Sequence, residues 1–231
     1  MSQTIWIARH GNRQDFVDSN WIKTADRPFD PGLSSDGLEQ AKELAQRLAT
    51  EKIDRIFASP FLRTIQTAHF VAEALDLPIQ VECGAGESLS FPFCSIIPKM
   101  LSLEELAQQF PRLDLNYSSR VSLAYPETKQ MAKQRAAETI QRLTTECTEN
   151  IAIVTHGGTL VNMTRELVGA KSKVRSSICC LVKLVKQGEE WQMELNGDTS
   201  HLSQPQTGIP FHSWSQIQYI YTHEFFKQFK G

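Results

Sequence analysis

No apolar run in this 231-residue chain approaches the roughly 20 residues that would span a bilayer. The N-terminus, Met1-Ser2-Gln3-Thr4-Ile5, has neither a basic head nor a long apolar stretch, so a secretory signal is not expected. An excess of either charge is missing too: 24 Lys plus Arg face 26 Asp plus Glu, a formal net charge of −2. That balance argues against a surface devoted to nucleic acid, which is usually strongly basic. Neither a nucleic-acid nor a membrane partner is expected. Cysteine is scarce, odd in number and without C-x-x-C spacing. Cys83, Cys94, Cys147, Cys179 and Cys180 therefore read as free thiols of a cytoplasmic protein, not as disulfides or zinc ligands. Repeats and low-complexity tracts are absent as well. What remains is an ordinary globular composition, 41% hydrophobic and 22% charged. The length fits a single domain over residues 1–231, with a core that needs no covalent staple.

Short apolar runs alternate with helical stripes. Ile5-Trp-Ile-Ala8 reads as a buried strand that ends at Arg9-His10-Gly11. After a polar loop from Gln14 to Pro31, Leu38, Ala41, Leu44, Ala45 and Leu48 recur at helical spacing behind N-cap candidates Ser34, Ser35 and Asp36. Ile53–Ala58 is the next strand, with Ser59-Pro60 expected as N-cap and first residue of the following helix. Pro78–Val81 is a third. Prolines interrupt residues 83–126, read as a lid or insertion with one short helix near Leu103–Phe110. A helix from about Glu127 to Cys147, the strand Ile151–Val154 and a helix through Leu167 follow. Ile178–Val185 and Trp191–Leu195 are expected as an antiparallel edge pair, with Cys179 and Cys180 on opposite faces of the first. The order implies a three-layer α/β/α sandwich around a mostly parallel sheet. The aromatic tail, with Phe211, Trp214 and Tyr219, is expected to pack over the domain, a homodimer interface being the alternative.

Ligands of such sheets bind at the carboxyl ends of the strands. Three of those ends carry Arg9-His10-Gly11, Ser59-Pro60 leading to Arg63, and Thr155-His156-Gly157. Two imidazoles and at least two guanidiniums at one sheet edge suit a phosphate, whose oxygens match the arginine fork. An imidazole beside such cations is kept neutral, leaving a lone pair that can attack phosphorus. A carboxylic acid is then needed for the leaving oxygen, and Glu87, Asp15 and Asp30 are candidates. These cations are expected to meet one carboxyl group in the cleft. Gly84-Ala-Gly86 is no dinucleotide fingerprint, because position 89 is leucine.

Arg9-His10-Gly11, Ser59-Pro-Phe-Leu-Arg63-Thr-Ile-Gln-Thr-Ala68, Gly86-Glu87-Ser-Leu and Thr155-His156-Gly157, in that order, resemble the histidine phosphatase, or phosphoglycerate mutase-like, superfamily. Asp30-Pro-Gly-Leu-Ser-Ser-Asp-Gly37 and Asp198-Thr-Ser-His-Leu202 extend the resemblance over nearly the whole chain. It implies a phosphomonoesterase with His10 as the nucleophile that is transiently phosphorylated. It implies further that Arg9, Arg63 and His156 hold the phosphoryl oxygens and that Glu87 serves as general acid and base. No metal or other cofactor is implied. Asn12-Arg13, then Asp15-Phe16 and Trp21, look like the branch of the ubiquitin-associated and SH3 domain-bearing phosphatases. By that likeness Arg13, with Asn12 beside it, also reaches the phosphate. The substrate is expected to be a small phosphorylated compound or a phosphoprotein. Mutase-type transfer and phospho-ligand binding without turnover are the rival readings. Lys171, Lys173 and Arg175 read as a solvated loop, with contact to a polyanionic substrate as the alternative.

Overall fold

The structure is a computed structural model that describes residues 2–88 and 98–204. Cys94 and the aromatic tail lie outside the described residues. Six strands, β1 (Thr4–Arg9), β2 (Arg55–Ala58), β3 (Ile79–Val81), β4 (Ile151–Thr155), β5 (Leu181–Gln187) and β6 (Glu190–Asp198), form one sheet in the order β3-β2-β4-β1-β5-β6. The first four in that order run parallel, and β5 and β6 add the antiparallel edge. This is the expected sandwich. Alternation along β1 explains its layers: Trp6 and Ala8 enter one core, Ile5 and Ile7 the other. Helices α3 (Ser35–Leu48) and α4 (Leu62–Leu75) cover the first face with Leu44, Leu48, Ile65 and Val71. Helices α6 (Lys129–Glu146) and α7 (Gly157–Val168) cover the second with Ala136, Ile140, Leu160 and Met163.

Four expectations are corrected. The segment 14–31 is not a plain loop but holds two single-turn helices, α1 (Gln14–Val17) and α2 (Trp21–Thr24). Helix α4 starts two residues after Pro60, with Phe61 as N-cap. Phe61 has no side-chain acceptor, and the carboxylate of Asp30 supplies it, receiving the Leu62 amide at 2.9 Å. Cys179 and Cys180 precede β5 rather than lie in it, and Cys179 adopts a left-handed φ of 52°. That turn still sends the two thiols into opposite cores. Finally, β6 runs on to Asp198, three residues past Leu195.

Helix α5 (Leu103–Gln109) begins with a capping box, Ser102 and Glu105 exchanging bonds to each other's amides. After it the chain returns to the sheet: the Ile79 amide donates to the Arg112 carbonyl at 2.8 Å, and the Asp114 amide to that of Ile79 at 2.9 Å. Buried Glu82, just past β3, accepts from Tyr117, Ser119 and the amides of Arg120 and Val121. The described part of the insertion is thus tied to the edge strand next to the site.

Candidate active site

The four parallel strands end side by side, and each delivers a polar side chain to the same place. Strands β1 and β4 pair with Arg9 opposite Thr155, so the next residues, His10 and His156, emerge together. Their ring centroids are 5.3 Å apart. Past β2, Arg63 lies in the first turn of α4; past β3, a 3₁₀ turn at Cys83–Ala85 leads to Glu87. His156 is also the N-cap of α7, so two helix N-termini, those of α4 and α7, face this cluster.

His10 is buried, and its Nδ1 lies 2.7 Å from the Gly11 carbonyl. A carbonyl only accepts, so Nδ1 carries the proton and Nε2 keeps the lone pair. Burial, then the charges of Arg63, His156 and Arg9, hold this imidazole well below its usual pKa. His156 is equally buried. Its Nε2 lies 2.8 Å from the Ser59 hydroxyl, and its Nδ1 lies 3.2 Å from both Arg63 Nη2 and Glu87 Oε2. Burial lowers its pKa to about 4, with Glu87 opposing and Arg63 assisting the shift. A neutral His156 can donate to Glu87 or accept from Arg63 through Nδ1, and the Ser59 hydroxyl rotates to match either.

Arg63 is fully buried, stacked on the Phe61 ring at 4.7 Å, and donates to Glu87 at 3.3 Å. Burial brings its pKa to about 10, so it remains charged. Its Nε and Nη1 are buried without a hydrogen-bond partner among the described residues, as is Nε of Arg9. Arg9 is fixed through Nη1 to the Ser176 carbonyl at 2.6 Å. Gly157 lies against that guanidinium, where a Cβ would come within 3.3 Å of its carbon. Glu87 is the open member of the group, its side chain 22% exposed beside the fully enclosed His156. Burial pulls its pKa up, but His156, Arg63 and Arg13 together hold it well below the carboxylate range.

The remaining expected residues lie at the margin. Arg13 binds Asp15 through Nε at 2.9 Å and stacks over Phe16 at 4.6 Å, close enough for its charge to act on Arg63, Glu87 and His156. Asn12 donates from its amide to Asp36 at the start of α3 and accepts from the Arg13 amide. Lys171, Lys173 and Arg175 are exposed on the stretch that ends at Ser176, the carbonyl partner of Arg9. The expectation of one carboxyl group in the cleft is corrected: Asp15 accompanies Arg13, and buried Asp30 lies 4.0 Å from Arg63, in addition to Glu87.

Two residues escaped the sequence reading. Arg135 of α6 is buried and donates to the carbonyls of Gly84, Gly86 and Glu87 at 2.8, 3.1 and 3.1 Å. Its Nε and Nη2 are paired with buried Glu127 at 3.0 and 2.7 Å. This fork shapes the segment that carries Glu87. The available signal was an arginine on the apolar stripe formed by Ala132, Ala136, Ile140 and Leu143.

One donor atom each from His10, Glu87 and His156 lies within 4.8 Å of the others, a set that could hold a metal ion. The charges of Arg9, Arg13 and Arg63 oppose a dication there. The same charges, with buried unpaired guanidinium N–H groups and a neutral histidine lone pair, suit a tetrahedral dianion.

The family model described as "Histidine phosphatase superfamily (branch 1)" matches residues 5–199. The Transcription factor tau 55 kDa subunit of Saccharomyces cerevisiae is 31% identical over 90% of this chain and 52% of its own length. Human Ubiquitin-associated and SH3 domain-containing protein A is also 31% identical, over 79% of this chain and 34% of its own length. The chain thus spans about half or a third of these curated relatives. The ecdysone phosphate phosphatase, EPPase, from Bombix mori, solved in complex with tungstate, has the same fold. It superposes with a TM-score of 0.71 at 19% identity, over 88% of this chain and 96% of that one.

Proposed function

Because the chain belongs to the histidine phosphatase superfamily, we propose that it hydrolyses a phosphomonoester through a phosphohistidine formed on His10. The observation that carries this reading is the neutral, buried His10, with Nε2 free, among arginines that have unpaired N–H groups. Phosphoryl transfer needs little covalent help from a protein; positioning and neutralisation of the equatorial oxygens dominate. Arg9, Arg13, Arg63 and His156 perform that task here. His10 Nε2 attacks phosphorus in line, the P–N bond forms and the P–O bond to the leaving group breaks. Nδ1–H, held on the Gly11 carbonyl, stabilises the positive charge left on the ring.

Glu87 protonates the departing oxygen. In the free site it is ionised and bound to Arg63 and His156, the donors a phosphoryl oxygen also needs. An arriving dianion competes for those donors and, as a like charge, raises the proton affinity of the carboxyl. Glu87 is also a partly exposed member of the group, so a leaving group directed to solvent can pass it. In the second step Glu87 takes a proton from water, oxygen attacks phosphorus, and the P–N bond breaks to release phosphate and His10. The three guanidiniums supply the charge that a metal provides elsewhere, so chelators are expected to leave turnover intact.

Incubation with a labelled phosphomonoester, followed by alkaline quenching, tests the reading. Label should be trapped on the wild type and absent from His10→Ala, whose turnover should fall by at least about a thousandfold. Equal hydrolysis by both proteins would sink the assignment. Interconversion of 2- and 3-phosphoglycerate in a coupled assay would favour the mutase rival.

A further inference from the structure

Asp30 stands out among the carboxyl groups because nothing in the proposed reaction uses it. It is 1% exposed, lies near the end of the 14–31 segment that holds α1 and α2, and reaches across to α4. Oδ1 accepts the Leu62 amide at 2.9 Å and lies 4.0 Å from Arg63 Nη1. Oδ2 lies 3.9 Å from Arg27 Nε. Oδ2, Arg27 Nε and Arg63 Nη1 are all buried without a hydrogen-bond partner among the described residues. A buried carboxylate with one hydrogen bond and two guanidiniums no nearer than 3.9 Å is only partly compensated for its lost hydration.

We propose that Asp30 is a positioning residue for the phosphoryl seat, fixing the first turn of α4 and aligning the Arg63 guanidinium against the Arg27 side. The proposal rests on the phosphatase reading of the same site. Its physical basis is that Asp30 accepts the backbone amide of Leu62 while its charge lies 4.0 Å from the Arg63 head group, so one side chain both caps the turn and draws the guanidinium that the turn carries. The charged groups facing Asp30 are Arg63 from α4, Arg27 from its own segment and Arg13 from the loop after β1. Burial raises the Asp30 carboxyl to about 6, partly countered by Arg63, the Leu62 amide, Arg27 and Arg13. The alignment should therefore be present above about pH 6 and weaken below it.

Two substitutions separate cap from charge. Asp30→Asn keeps an acceptor for the Leu62 amide and removes the charge; Asp30→Ala removes both. A bystander charge and a positioning charge give opposite signs, since deleting a negative group beside an anion seat should by itself tighten anion binding. Positioning requires the reverse in Asp30→Asn: calorimetric Kd for inorganic phosphate up about fivefold, and kcat/KM for p-nitrophenyl phosphate down about tenfold, with a melting temperature no lower than that of the wild type. The acid limb of kcat/KM should lose its component near pH 6. In an Arg63→Ala background the same substitution should have no further effect. Phosphate binding as tight as, or tighter than, in the wild type would overturn the proposal. So would losses that add fully to those of Arg63→Ala. If no phosphomonoester is turned over but phosphate binding still depends on Asp30 through Arg63, positioning stands and hydrolysis falls.

Discussion

His10 and His156 are kept neutral by burial, and this links stability to pH. Each ring binds fewer protons folded than unfolded, so its contribution is intact above about pH 6.5 and is lost as the pH falls below that. For His156 alone, 6.5 to about 4 corresponds to on the order of 3 kcal/mol. Asp30 acts in the opposite sense: its raised pKa destabilises the fold above about pH 6 and relieves it toward 4. Two rings outweigh one carboxyl. The melting temperature should therefore fall between pH 7 and 5, and more steeply in Asp30→Asn; a flat calorimetric profile would contradict this. The leaving-group role of Glu87 is separable in the same way. In Glu87→Gln, turnover of an alkyl phosphate should fall by about 10²–10³. p-Nitrophenolate needs no proton, so its initial burst should survive while steady-state release slows, as stopped-flow absorbance would report.

At the level of elements, the site depends on how tightly loops lie against helices. A Cβ on Gly11 would sit 2.5 Å from the Gly37 carbonyl oxygen, where the loop after β1 crosses the start of α3. Nothing at that crossing is a flexible side-chain end. At Gly158, inside α7, such a Cβ would meet no atom within 4 Å beyond its own helix among the described residues. Gly11→Ala should therefore lower the melting temperature and the activity together, while Gly158→Ala should stabilise by roughly 0.5–1 kcal/mol. Thermal melts of the pair provide the check. Arg135 gives the stronger case. Its removal takes the guanidinium fork away from buried Glu127 and frees three carbonyls, a loss of about 3–5 kcal/mol. Arg135→Lys cannot reproduce the fork and should recover little activity on alkyl phosphates. Such contacts were not legible in the chain: Arg135 and Glu87 are 48 residues apart, Asp30 and Leu62 are 32 apart, and no period joins them. The ends of β1 and β4 were legible, because a buried run that stops at Arg-His or Thr-His has one simple explanation.

Across the whole molecule, the sheet was readable because its strands are short apolar runs separated by helical stripes. The order β3-β2-β4-β1 was not written in any local pattern, since it follows from which helices cover which face. The same limit explains why a charge count of −2 could not foresee three carboxyl groups around three arginines. Relatives of about twice or three times this length share the region and carry further segments beside it.

The adjacency of His10 and His156 has one more consequence. Their separation is that of neighbouring strands in register, a distance that loop variation does not alter. Substrate preference can therefore be retuned without touching the reaction centre. The two rims differ in this respect. Exchanging residues 98–126 with those of a relative should change selectivity among esters and leave the rate on p-nitrophenyl phosphate within about tenfold. Exchanging 14–31 takes Asp30 along and puts the alignment of Arg63 at stake.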